Sequence, residues 1–155
     1  MKRIIFLLFV VVLLCGCEDT KKEEVESYSD KNITLTCTYT DKDLIDHKID
    51  LLIEKGVLIN KTETLTWVDK DVTTCNFYKE RNGIYAELTG IIDRVDCNDN
   101  SGTRETTYII NELNDKEVRI KEFQYIRSED SIFEINSYKN YMNKKGAKCI
   151  EVNNQ

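Results

Sequence analysis

Ile33-Thr34-Leu35-Thr36-Cys37-Thr38-Tyr39 is the stretch on which the fold turns. Ile33, Leu35, Cys37 and Tyr39 alternate strictly with threonine, and successive side chains of a strand point to opposite faces. The pattern predicts a strand with one buried face and one hydroxyl-bearing face. Asp41-Lys42-Asp43 ends it.

Two further extended runs follow, Lys48 to Glu54 and Val57 to Val68, separated by Lys55-Gly56. Glycine adopts positive φ at no steric cost, so Gly56 predicts a tight hairpin turn. Asp69 or Asp71 is placed to cap a helix beginning near Val72. Val72, Cys75 and Tyr78 form a stripe, and Ile84, Leu88, Ile91 and Val95 continue one at helical spacing across Asn82-Gly83. We therefore expect one long irregular helix or two short ones, with a strand over 84–92 as the alternative.

Asn98 to Gly102 reads as a turn and Thr103 to Leu113 as a strand. Asn114-Asp115 turns the chain into a further strand over Glu117 to Ile126. Ser128, with Glu129 and Asp130 behind it, suits a helix N-terminus, where negative charge is stabilising. Ile132, Ile135, Tyr138 and Met142 lie three or four apart. Lys144-Lys145 closes the last turn, and Gly146 stands where a left-handed residue ends a helix. Ala147 to Val152 should leave as a short strand carrying Cys149. The sum is an α+β fold, an antiparallel sheet with two or three helices packed on one face. It occupies residues 32–155 as a single domain.

Upstream the chemistry changes. Glu18 to Lys31 is nearly all charged or small polar, with too little apolar surface to offset the entropy of ordering it. We read residues 17–31 as an anchor point and a flexible tether. Lys2-Arg3 precede an unbroken apolar run from Ile4 to Leu14. That run falls short of the roughly 20 residues a bilayer span needs, and its charge placement fits an export signal. Leu14-Cys15-Gly16-Cys17 resembles a bacterial lipobox, with an aliphatic residue three before the acceptor cysteine and a small one directly before it. The resemblance implies a signal peptide over 1–16, cleavage before Cys17, and acyl chains on Cys17 that hold the protein to a membrane on its extracytoplasmic face. One acyl chain binds reversibly, whereas two or more anchor stably.

The formal net charge is −6, and removal of Lys2 and Arg3 with the leader lowers it to −8. Such a chain is ill suited to neutralise phosphates, so nucleic acid is not an expected partner. Charge alone would not hold it to anionic headgroups either. The lipobox, the charged tether, Leu35 to Thr40 and the closing Tyr138 to Cys149 together resemble small lipoproteins of low-GC Gram-positive bacteria, with a YehR-like outline. That family carries no settled activity. The resemblance implies location and fold.

Once Cys15 leaves with the leader and Cys17 is acylated, Cys37, Cys75, Cys97 and Cys149 remain. An even number in an exported chain suggests two disulfides, for which three connectivities exist. Cys37 lies on the first strand and Cys149 on the last, while Cys75 sits on the helix that leads to Cys97. We expect Cys37–Cys149 and Cys75–Cys97, with four reduced core thiols as the alternative. Zinc would require paired C-x-x-C spacing or histidine partners, and neither is present.

The remaining constellations are weak. His47 is the only histidine, and Asp46-His47-Lys48 suggests a solvated surface residue. Asp96-x-Asn98-x-Asn100 begins like a calcium loop, but Ser101 and Thr107 stand where glycine and glutamate belong. Asn32-x-Thr34 and Asn60-x-Thr62 are glycan acceptors only in a eukaryotic secretory route. Glu105, Glu112, Glu117 and Glu122 could supply a carboxylate pair for an envelope hydrolase. Trp67, Tyr108 and Tyr125 are candidates for a ligand-binding surface, with core packing as the alternative. No cofactor is expected. The sequence favours a non-enzymatic binding or interaction module with an envelope protein or ligand as its partner, and the hydrolase is the alternative.

Overall fold

The computed structural model describes residues 28, 30–85, 87–113 and 133–154. Cys17, most of the tether, the strand expected over 117–126 with Tyr125, and the helix start expected at Ser128 lie outside them. Among the described residues the chain runs β1 (Ile33–Thr40), β2 (Asp46–Glu54), β3 (Val57–Trp67), α1 (Val72–Tyr85), β4 (Ile91–Cys97), β5 (Gly102–Ile109), α2 (Ile135–Lys144) and β6 (Lys148–Asn153). The strands form one antiparallel sheet in the order β4-β5-β3-β2-β1-β6. The fold is α+β and mostly sheet.

β1 behaves as its alternation requires. Ile33, Leu35 and Cys37 are fully buried, while Thr38 and Thr40 on the other face are exposed. The β2–β3 hairpin turns on Lys55 and Gly56, with φ of 49° and 78°. Two central residues at positive φ are the mirror-image turn whose twist matches that of the strands. An extra residue, Ile59, enters β3 opposite Leu52–Ile53 as a bulge, which preserves the inward set on both sides of it.

Asp71 caps α1, accepting from the Thr73 amide and hydroxyl. The helix runs straight through Asn82-Gly83 and ends at Tyr85. The expected continuation to Val95 is wrong: residues 91–97 are strand β4, entered through Gly90 at φ +77°. Ile91, Asp93, Val95 and Cys97 share its inward face, and a carboxylate in that set disguised the period-2 pattern. α2 begins at Ile135, after Phe133 has donated its amide to the Gly56 carbonyl at 2.7 Å. It ends as expected: Gly146 sits at φ +81°, and the Gly146 and Ala147 amides donate to the carbonyls of Asn143 and Met142.

The main core joins Ile33, Leu35, Cys37, Ile49, Leu51, Ile53 and Leu58 to Ile135, Tyr138 and Met142 of α2. A second cluster packs Leu65 and Trp67 against Tyr78 of α1. Both expected disulfides are present: Cys37–Cys149 across directly paired positions of β1 and β6, and Cys75–Cys97 between α1 and β4.

Gly102 makes the second cluster possible. A Cβ there would fall inside contact distance of the Cys97 Cβ and lie 2.6 Å from Trp67 Cζ2. Gly102→Ala is therefore expected to lose about 1–3 kcal/mol through overpacking. The midpoint of urea unfolding, followed by Trp67 fluorescence, measures it.

Candidate functional site

The inward face of the sheet is not wholly apolar. Parity along β2 carries Ile53, Leu51 and Ile49 on to His47, whose side chain is only 14% exposed. The expectation of a solvated surface histidine is therefore overturned. Asp46 and Lys48, which suggested exposure, point to the opposite face. Tyr39, paired with His47 across β1–β2, stacks its ring on the imidazole at 4.4 Å between centroids.

Both ring nitrogens of His47 meet carboxylates. Nε2 lies 3.1 Å from Asp41 Oδ2, and Nδ1 lies 3.3 Å from Glu63 Oε1. Lys61 Nζ stands 3.9 Å from the other oxygen of Glu63. Burial by itself would lower the His47 pKa. The hydrogen bonds to Glu63 and Asp41 outweigh it, and the imidazole is held above its ordinary value. Burial likewise works against the Asp41 carboxylate, but the Ile45 amide, His47 and the Asp43 amide together hold it below its ordinary value. The other oxygen of Asp41 accepts from the Asp43 and Ile45 amides, both at 2.9 Å, which folds the β1–β2 loop around it. Leu44 at the loop tip sits at φ 56° and is largely exposed.

That loop is one wall of an open cleft of about 680 Å³. Asp43 and Ile45 face Thr73, Phe77, Tyr78 and Glu80 of α1 across it. Phe77 is half exposed, with the Arg81 guanidinium 5.1 Å above its ring.

Further along the same sheet face Arg104 of β5 meets Asp93 of β4. Nε and Nη2 donate to the two carboxylate oxygens at 2.9 and 3.1 Å, and Thr106 donates to Oδ1 at 2.5 Å. The Asp93 side chain is fully buried. The Arg104 guanidinium also lies over Tyr85 and Tyr78, at 4.9 and 5.5 Å from their ring centres.

The residues expected to bind ligand are not brought together at the surface. Trp67 is 1% exposed and packs against Tyr78 in a tilted pair, 4.8 Å between ring centroids. Tyr108 is 6% exposed, beneath Lys61, and burial pushes its phenol far up. Both are core residues, because a large ring on the inward parity of a strand gains most by packing. Of the four glutamates considered for a carboxylate pair, Glu105 and Glu112 are exposed and Glu117 and Glu122 lie outside the described residues. In the calcium-like stretch, the Asn98 side-chain oxygen accepts from the Asn100 amide and from the Ser101 amide and hydroxyl, which makes it a self-closed turn.

No known protein family, curated protein or solved structure is detectably similar to this chain. The functional argument therefore rests on the chain's own chemistry.

Proposed function

We propose that this protein is a non-enzymatic binding or interaction module of the bacterial cell envelope, held at the extracytoplasmic face of the membrane by lipid on Cys17. The observation that carries the reading is the cysteine pattern. When the leader and the lipid acceptor are set aside, the four remaining cysteines fall into two pairs. Disulfides persist in oxidising compartments and are rare in a reducing cytosol. An export leader and a lipobox-like Cys17 supply the route to such a compartment.

A binding role fits the cleft better than hydrolysis does. A carboxylate hydrolase needs two acids facing a common substrate bond, one of them kept protonated. Asp41 and Glu63 are instead each turned to a nitrogen of His47. The cleft beside them offers Phe77 and Tyr78, an apolar surface with polar edges. In this reading both helices lie on one face of the sheet. The residues they meet, Ile33, Leu35 and Cys37 for α2 and Trp67 and Cys97 for α1, share the inward parity of the ladder. The threonine face of β1 and β3 is then the outward one.

Intact mass of the protein extracted from its native membrane, alkylated with and without prior reduction, tests the proposal. The expected species begins at Cys17, carries acyl mass and exposes four thiols only after reduction. A chain retaining residues 1–16 without acyl mass overturns the anchor. Four thiols free before reduction overturn the oxidising location.

A further inference from the structure

His47 is held between groups that only accept hydrogen bonds. A neutral imidazole carries one N–H and one lone pair, so beside two carboxylates it satisfies one and repels the other. Only the imidazolium donates to both. The two carboxylates belong to different parts of the fold: Glu63 lies within β3, and Asp41 is the residue around which the loop 41–45 is wound. We propose that His47 is a proton-operated latch that ties the β1–β2 loop to the sheet when protonated and releases it when neutral, widening the cleft between that loop and α1.

The surroundings favour one switching group. Asp41 in the loop and Glu63 on β3 touch the ring, and Lys61 on β3 shares the charge of Glu63. Tyr78 on α1 and Arg104 on β5 form the next rank, with Tyr78 feeling Asp41, Glu63 and Arg104 together. Tyr39 on β1 covers the ring face. The carboxylates outnumber the nearby cation, so gain of a proton by His47 is favoured over the ordinary case. The tie is complete below the usual histidine value of about 6.5 and is lost as pH rises through the raised midpoint. On the acid side Asp41 keeps its charge until pH falls below its ordinary range, since its own value is depressed. The latch therefore operates above the ordinary histidine value, through His47 alone. The latch does not depend on the envelope reading or on the anchor.

His47 is the only histidine in the chain, so its ring protons give an unambiguous NMR titration. The full chain is titrated from pH 5 to 9 while amide exchange is followed at Asp43, Leu44 and Ile45. The expected midpoint lies above 6.5, and protection of those amides falls about tenfold through it after correction for base catalysis, the size that loss of a charge-assisted hydrogen bond implies. The Ile45 methyl signals should shift with the same midpoint. Asp41→Asn, whose side-chain oxygen still accepts from the loop amides, should lower the midpoint and flatten the dependence. A midpoint at or below the ordinary value, or protection that does not follow the wild-type titration, overturns the proposal even if the variant fails to fold.

Discussion

Removing the Cys37–Cys149 bond, as Cys37→Ala with Cys149→Ala, is expected to lower the unfolding free energy by about 4–5 kcal/mol in the chain-entropy account of cross-links. The bond closes a loop of 112 residues, which takes in nearly all of the described domain. The cost of closing a loop in the unfolded chain grows with the logarithm of its length, so this link restricts the unfolded state the most. Among the described strands β6 is also an edge, paired with β1, and Lys139 of α2 contacts its Glu151 at 2.7 Å. Without the disulfide, β6 amides should exchange with solvent before the rest of the sheet opens. The Cys75–Cys97 bond spans 22 residues and should contribute about 3 kcal/mol on the same reasoning. Losing both removes an amount comparable to the whole stability of a typical domain, about 5–15 kcal/mol. Full reduction should therefore unfold the protein well below the midpoint of the oxidised form. Guanidinium unfolding with and without reductant measures this, and a loss under about 1 kcal/mol per bond would place the stabilisation elsewhere.

The parts of this fold legible in the sequence are those whose signal is local. β1 announces itself because each inward residue is apolar and each outward one is threonine. The hairpin needs only Gly56, and the end of α2 needs only Gly146 after a lysine pair. What escaped were elements whose inward positions are polar. β4 and β5 present Asp93, Arg104 and Thr106 to the interior, and an alternation of that kind cannot be recognised until the partners are known to face one another. Ile84, Leu88 and Ile91 then mimic a helical stripe by coincidence of spacing. His47 was misread for a related reason. Its immediate neighbours are charged, and its partners lie six residues before it and sixteen after it. A signal did exist: the parity Ile53, Leu51, Ile49 runs on to His47 without a break. Trp67 and Tyr108 are open to a ligand surface or to packing on composition alone, and strand parity places both in the core.

The polar pair that hid β4 should also be the most sensitive point in the second half of the sheet. Asp93→Ala is expected to destabilise the protein by about 3–5 kcal/mol, because it strands a buried guanidinium. Arg104 is 6% exposed and gives two donors to Asp93, and Thr106 gives a third. The two tyrosine faces over Arg104 offset part of the cost of an unpaired cation, but contribute less than a desolvated ion pair. The desolvation argument makes a second, separable forecast. Replacing both partners by apolar residues of similar size, Asp93→Leu with Arg104→Met, should lose far less than Asp93→Ala alone, since no charge is then buried without a partner. Trp67 reports both outcomes. It is the only tryptophan, and its ring packs against Tyr78, which Arg104 also covers. Loss of the pair should loosen α1 from β4 and β5 and redden Trp67 emission before the α2 side of the core unfolds. Equal losses in the single and double variants would instead mean that the pair contributes through its hydrogen-bond geometry, tying α1, β4 and β5 together, more than through the avoidance of a stranded charge.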